Sequence, residues 1–111
     1  MPSTLSMSPQ DQQVFALLAA RIREHFPEAH IWAYGSRARG ESTADSDFDI
    51  CVILPEISDN AEKIIRRIAW EIGFEHEYLI TTLVFSQNEF DKGLISYSPL
   101  VANIRKDGIA A

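Results

Sequence analysis

Phe48 to Leu54 reads FDICVIL and, beyond Asp49, is apolar at every position. A strand with one wet face alternates apolar and polar residues; a strand apolar at both parities has to be covered on each side. This run is therefore expected to be a central strand, closed by Pro55. Cys51 lies inside it and reads as a small buried core residue.

The flanking sequence supplies the covering layers. Ser8-Pro9 opens a helix expected from about Pro9 to Phe26, with Ser8 as N-cap, Pro9 at the first helical position and Asp11 in the first turn. Val14, Leu18, Ile22 and Phe26 recur every four residues to form its apolar stripe, and Pro27 stops it. Met1 to Met7, before it, read as a loose end. His30 to Tyr34 (HIWAY) is a short strand ended by Gly35-Ser36. Ser36 can cap a helical turn containing Arg37, Ala38 and Arg39, with Gly40 as its stop and a polar loop from Glu41 to Ser46.

Asp59 and Glu62 resemble a capping box for a helix whose stripe is Ile64, Ile65, Ile68, Ala69 and Ile72, ending at Gly73. Trp70 falls opposite that stripe among Lys63, Arg66 and Arg67, either flat over arginine stems or on a partner surface. Tyr78 to Phe85 is a third strand, Ser86 to Glu89 a second capping box leading to Lys92 and Gly93, and Ser98-Pro99 a last helix start before Gly108. The order helix, strand, turn, strand, helix, strand, helix, helix describes a small α/β domain.

At 111 residues the chain has the length of one domain, residues 1–111, with one modest core. No apolar run approaches the roughly 20 residues of a membrane span, and the N-terminus lacks a secretory pattern, so the cytoplasm is the default location. One cysteine excludes an internal disulfide or a cysteine-built zinc site, and His25, His30 and His76 show no ligand spacing. A formal net charge of -6, without a basic run, argues against nonspecific nucleic-acid binding. A nucleotide can still be held by a few local charges and a metal.

The chemistry concentrates between Tyr34 and Ile50, YGSRARGESTADSDFDI. Asp47 and Asp49, two apart at a strand start, point the same way and form an oxygen site suited to Mg²⁺. Gly35 permits a sharp turn and close approach of a phosphate, and Ser36 adds a hydroxyl where helix N–H groups favour anions. Arg37 and Arg39 are candidate phosphate contacts, Arg39 preferred. Each part alone is commonplace; their combination on two strands joined by a short connection is not.

Gly35, Ser36, Ala38, Arg39, Gly40, Ser46, Asp47 and Asp49 resemble the GSxARG…SDxD signature of the minimal nucleotidyltransferases, within the DNA polymerase β-like superfamily. The order of elements, and the ending Asn103 to Ile109, extend the likeness along nearly the whole chain. The resemblance implies a mixed sheet flanked by helices and Mg²⁺-dependent transfer of a nucleoside monophosphate from an NTP, ATP by preference. Asp47 and Asp49 would carry metal and Gly35 and Ser36 the phosphates. The family's third carboxylate, on a later strand, would fall to Glu77 at the start of the third strand, or to Glu75 if the strand reaches back that far; Thr81 and Thr82 occupy its middle.

Larger superfamily members add acceptor-gripping domains, so here a partner macromolecule is expected to bring its own hydroxyl. Minimal nucleotidyltransferases often pair with a HEPN-domain toxin as its antitoxin, and can attach AMP to a tyrosine of it. Two further readings stand beside this one: a nucleotide-binding module that neutralises a partner by contact alone, and an enzyme modifying a small molecule.

Overall fold

The computed structural model describes residues 7–43 and 45–111. Nine elements and a 3-10 turn follow one another: α1 (Pro9–His25), β1 (His30–Tyr34), α2 (Gly35–Arg39), β2 (Phe48–Leu54), α3 (Asp59–His76), β3 (Ile80–Ser86), α4 (Gln87–Asp91), the 3-10 turn Leu94–Tyr97, α5 (Pro99–Asp107) and β4 (Ile109–Ala110). The strands form one mixed sheet in the order β3-β2-β1-β4. β1 runs antiparallel to β2 and β4, while β2 and β3 are parallel and joined over one face by α3. A parallel pair requires such a crossover, and the 18-residue helix provides it.

β2 is covered on both faces, as its composition demands. Phe48, Ile50, Val52 and Leu54 join a core with Val14, Phe15, Leu18 and Ile22 of α1 and Ile65, Ile68 and Ile72 of α3. Cys51 and Ile53, of the other parity, pack with Phe90 of α4 and Val101 and Ile104 of α5. α1 and α3 therefore form one layer, and α4 and α5 the other.

The helix starts follow local hydrogen-bonding rules. The Ser8 and Ser98 hydroxyls accept from Asp11 N and Val101 N, and Ser86 and Glu89 close a full capping box. α3 departs from expectation at both ends. Its cap is Ser58, which accepts from Ala61 N, so Asp59 lies inside the first turn rather than at the cap. It also continues past Gly73 to His76. Gly73 is kept for space, because a Cβ there would stand 2.6 Å from the Tyr78 carbonyl oxygen. The third strand accordingly begins at Ile80, two residues later than expected.

β4 was not anticipated; at two residues it has too little pattern to read, and its pairing to Trp32 and Ala33 defines it. Of the expected loose end, Met1 to Ser6 lie outside the described residues, while Met7 is buried in the core. No helix among the described residues is long and apolar enough to cross a membrane.

Candidate active site

The start of β2 separates two jobs by strand alternation. Phe48 is fully buried and faces α1, whereas Asp49 is half-buried on the opposite side, and Asp47, just before the strand, is exposed. Phe48 packs against Phe15 and Tyr78, with ring centroids 6.2 and 5.7 Å away. The Asp49 carboxylate is thereby held on the α5 side.

Asp49 sits in a cross-strand row between Tyr34 of β1 and Thr81 of β3. The Thr81 hydroxyl donates to Asp49 Oδ1 at 2.8 Å, and Oδ2 lies over Gly35. Gly35 has φ +77°, and a Cβ on it would collide with Asp49 Oδ2. Glycine is needed twice there, for the left-handed backbone and for the approach of the carboxylate. Asp47 has no hydrogen-bond or ion-pair partner among the described residues. Burial first, then the Asp49 charge, then Cys51, push the Tyr34 hydroxyl up to about 12.

Of the two candidate arginines, neither reaches this pair as the chain stands. Arg37 turns into the core: Nη1 donates to Asp11 Oδ1 at 2.9 Å, and Nε and Nη2 donate to the Ser46 carbonyl at 3.0 and 2.8 Å. Its guanidinium lies 4.6 Å from the Tyr78 ring centroid and 5.9 Å from that of Phe48. Tyr78 also donates to Asp11 Oδ1, at 2.6 Å, while Asp11 Oδ2 is buried without a partner among the described residues. Asp11, expected as a first-turn surface acid, is instead 1% exposed. Arg37 is thus a clamp that ties α1 to the residue before Asp47, not a phosphate contact. Arg39 is exposed and pairs with Glu41 at 3.0 Å.

The expected third carboxylate is displaced. Glu77 is the C-cap of α3 with φ 60°, exposed, and Glu75 is helical, 3.9 Å from Arg21. Neither is in the strand, because α3 runs on to His76, and the β3 residue beside Asp49 is Thr81. No cluster of three or more His, Cys, Asp or Glu side chains forms among the described residues. Two carboxylates, one of them aimed over a glycine, still fit magnesium. That ion is commonly held by one or two carboxylates plus substrate phosphates.

A mixed sheet with a glycine-serine turn facing a carboxylate pair defines the nucleotidyltransferase fold. The chain belongs to the nucleotidyltransferase domain family, whose model matches residues 17–109. No curated protein matches the sequence. Among solved structures, a chain of the toxin–antitoxin MntA–HpeT, in a variant with two aspartates changed to glutamate, is similar. The TM-score is 0.57 at 16% identity over 90% of this chain and 70% of the other. A Sulfolobus solfataricus protein assigned as a nucleotidyltransferase gives 0.56 at 18% identity over 91% and 81%. At such identities these likenesses speak to the fold.

Arg37→Ala leaves the Asp11 carboxylate buried and uncompensated, and should cost about 3–5 kcal/mol, measured as a lower urea midpoint with unchanged slope. Alkali should also weaken the fold. Burial raises the Cys51 thiol from 9.0 to about 12. Burial first, then the hydrogen bond and charge of Asp11, raise Tyr78 from 10.0 to about 12 against the opposing Arg37. Between these values the unfolded chain has lost protons that the folded chain keeps, so stability is full below about pH 9 and declines towards about pH 12. Urea midpoints across that range should fall, and less steeply in Tyr78→Phe.

Proposed function

We propose that the protein is a Mg²⁺-dependent nucleotidyltransferase that moves AMP from ATP onto a hydroxyl of a partner protein, as the antitoxin of a HEPN-domain toxin. The observation that carries the reading is the Asp49 carboxylate seated over Gly35, with Asp47 exposed two residues before it. Asp47 and Asp49 would hold the metal, which when bound supplies positive charge to the phosphate oxygens. The Gly35 backbone and the Ser36 hydroxyl would accommodate the phosphates; Arg39, exposed, can leave Glu41 for them. Thr81 holds Asp49 in one orientation, so that Oδ2 stays over Gly35.

Family membership supports the transfer chemistry. The MntA–HpeT likeness supports a toxin partner, and its two substituted aspartates are also two positions apart. The acceptor hydroxyl oxygen would attack the α-phosphorus, giving up its proton to solvent as the bond to pyrophosphate breaks. Glu77 is not proposed as the group that takes its proton, since it caps α3 outside the Tyr34–Asp49–Thr81 row. Thr81 in place of a third carboxylate favours the second reading, a nucleotide-binding module that neutralises its partner by contact.

Label from α-phosphate-labelled ATP should pass, with Mg²⁺ present, to one protein of the source cell. It should fall by a factor of about 10² or more in Asp47→Asn/Asp49→Asn, as when charge-stabilising groups are removed elsewhere. Retained Mg²⁺-ATP binding without transfer would select the contact-only module.

A further inference from the structure

α3 is amphipathic towards its core and again away from it. Ala61, Ile65, Ile68, Ala69 and Ile72 face the sheet. Lys63, Arg66, Arg67, Trp70 and Phe74 gather on the opposite side within an arc of about 100°. None of the three cations has an ion-pair partner among the described residues. Trp70 and Phe74 are 67% and 75% exposed and stack on each other, not on the arginines, with centroids 5.4 Å apart and planes 16° from parallel. Leu79, 65% exposed, extends this patch towards β3. Between them runs a groove of about 310 Å³ whose lining includes Arg66, Trp70, Phe74 and Leu79.

We infer that this face binds a different protein, through a segment that sets apolar side chains against Trp70, Phe74 and Leu79 and carboxylates against Lys63, Arg66 and Arg67. Exposed stacked aromatics cost free energy in water and gain it when covered, and clustered aromatics are common centres of binding energy. The unpaired cations specify the occupant's charge. A second copy fits poorly, because a two-fold contact here sets the same cations against each other. A nucleic acid fits poorly too: the ring faces are partly taken by mutual stacking, Leu79 offers nothing to a phosphate, and the whole chain carries -6.

The patch reaches the end of the sheet at which β2 starts. Leu79 is two residues before Thr81, the strand neighbour of Asp49, and the Leu79 carbonyl accepts from Phe48 N at 2.8 Å. A partner held on α3 therefore lies at the same end of the sheet as Asp49 but over the other face, and would have to reach round that end to present a hydroxyl there. Only that presentation rests on the transferase reading; the docking itself does not.

A displayed library of unbiased peptides, selected on the full chain, supplies the probe. Peptides combining large apolar residues with Asp or Glu should be enriched, and should bind Trp70→Ala/Phe74→Ala about tenfold or more weakly, as for the loss of a binding hot spot. The side chains are exposed, so circular dichroism should confirm an unchanged fold. Arg66→Glu/Arg67→Glu should instead enrich peptides bearing Lys or Arg. Asp47→Asn/Asp49→Asn should bind the original peptides as wild type does, so failed transfer and failed docking are separable. Any of four results overturns the inference: no acidic-apolar enrichment, binding undiminished in Trp70→Ala/Phe74→Ala, a dimer in sedimentation that this variant abolishes, or tighter binding of a 20-nucleotide oligouridine probe than of any selected peptide on the same residues.

Discussion

The buried pair of Arg37 and Asp11 holds the site together. One guanidinium joins α1 through Asp11, the loop before β2 through the Ser46 carbonyl, and the rings of Phe48 and Tyr78 through its face. A buried ion pair gives little net stability, and the unpartnered Asp11 Oδ2 adds a cost, but its geometry is restrictive. It fixes Ser46, and with it the point at which Asp47 leaves the loop. The Ser46 hydroxyl in turn accepts from Thr43 N at 2.9 Å, closing the turn from the other side. The polar residues of the loop are thus largely engaged in shaping it, leaving Asp47 free.

With that anchor, alternation along β2 does the rest. Phe48 locks one face of the strand start into the α1–α3 layer, so Asp49 is turned to the other side. Gly35 then admits the carboxylate, and Thr81 orients it. The site uses hardly any machinery beyond these contacts, which is how a chain of 111 residues can carry both a core and an acidic pair. The cationic and aromatic outer face of α3 lies over the other face of the sheet from Asp49 and is the surface proposed to hold a partner protein.

Features set by short-range rules were legible in the sequence. The Ser8, Ser86 and Ser98 caps, the doubly covered β2, the buried Cys51 and the turn at Gly35 all follow from local chemistry. The side of the sheet on which Asp49 lies follows from a period of two. Long-range contacts were not legible. α2 has five residues, too few for a periodic signal to tell which arginine turns inward, and the partner of Arg37 is 26 residues away. Gly73 reads as a helix stop unless Tyr78 is known to return across it. That error moved the strand start back and lent Glu77 and Glu75 a strand parity they do not have. The stacking of Trp70 on Phe74 is an i,i+4 contact that the spacing could have revealed.

Asp47, Asp49 and the Gly35 turn are proposed to form one metal–nucleotide site. The most direct measurement is anomalous diffraction from crystals grown with Mn²⁺ and a non-hydrolysable ATP analogue. A manganese peak bridging the Asp47 and Asp49 carboxylates, with the triphosphate along Gly35 and Ser36, is the predicted result. Metal and nucleotide bound elsewhere, with Asp47 and Asp49 uncoordinated, would contradict it.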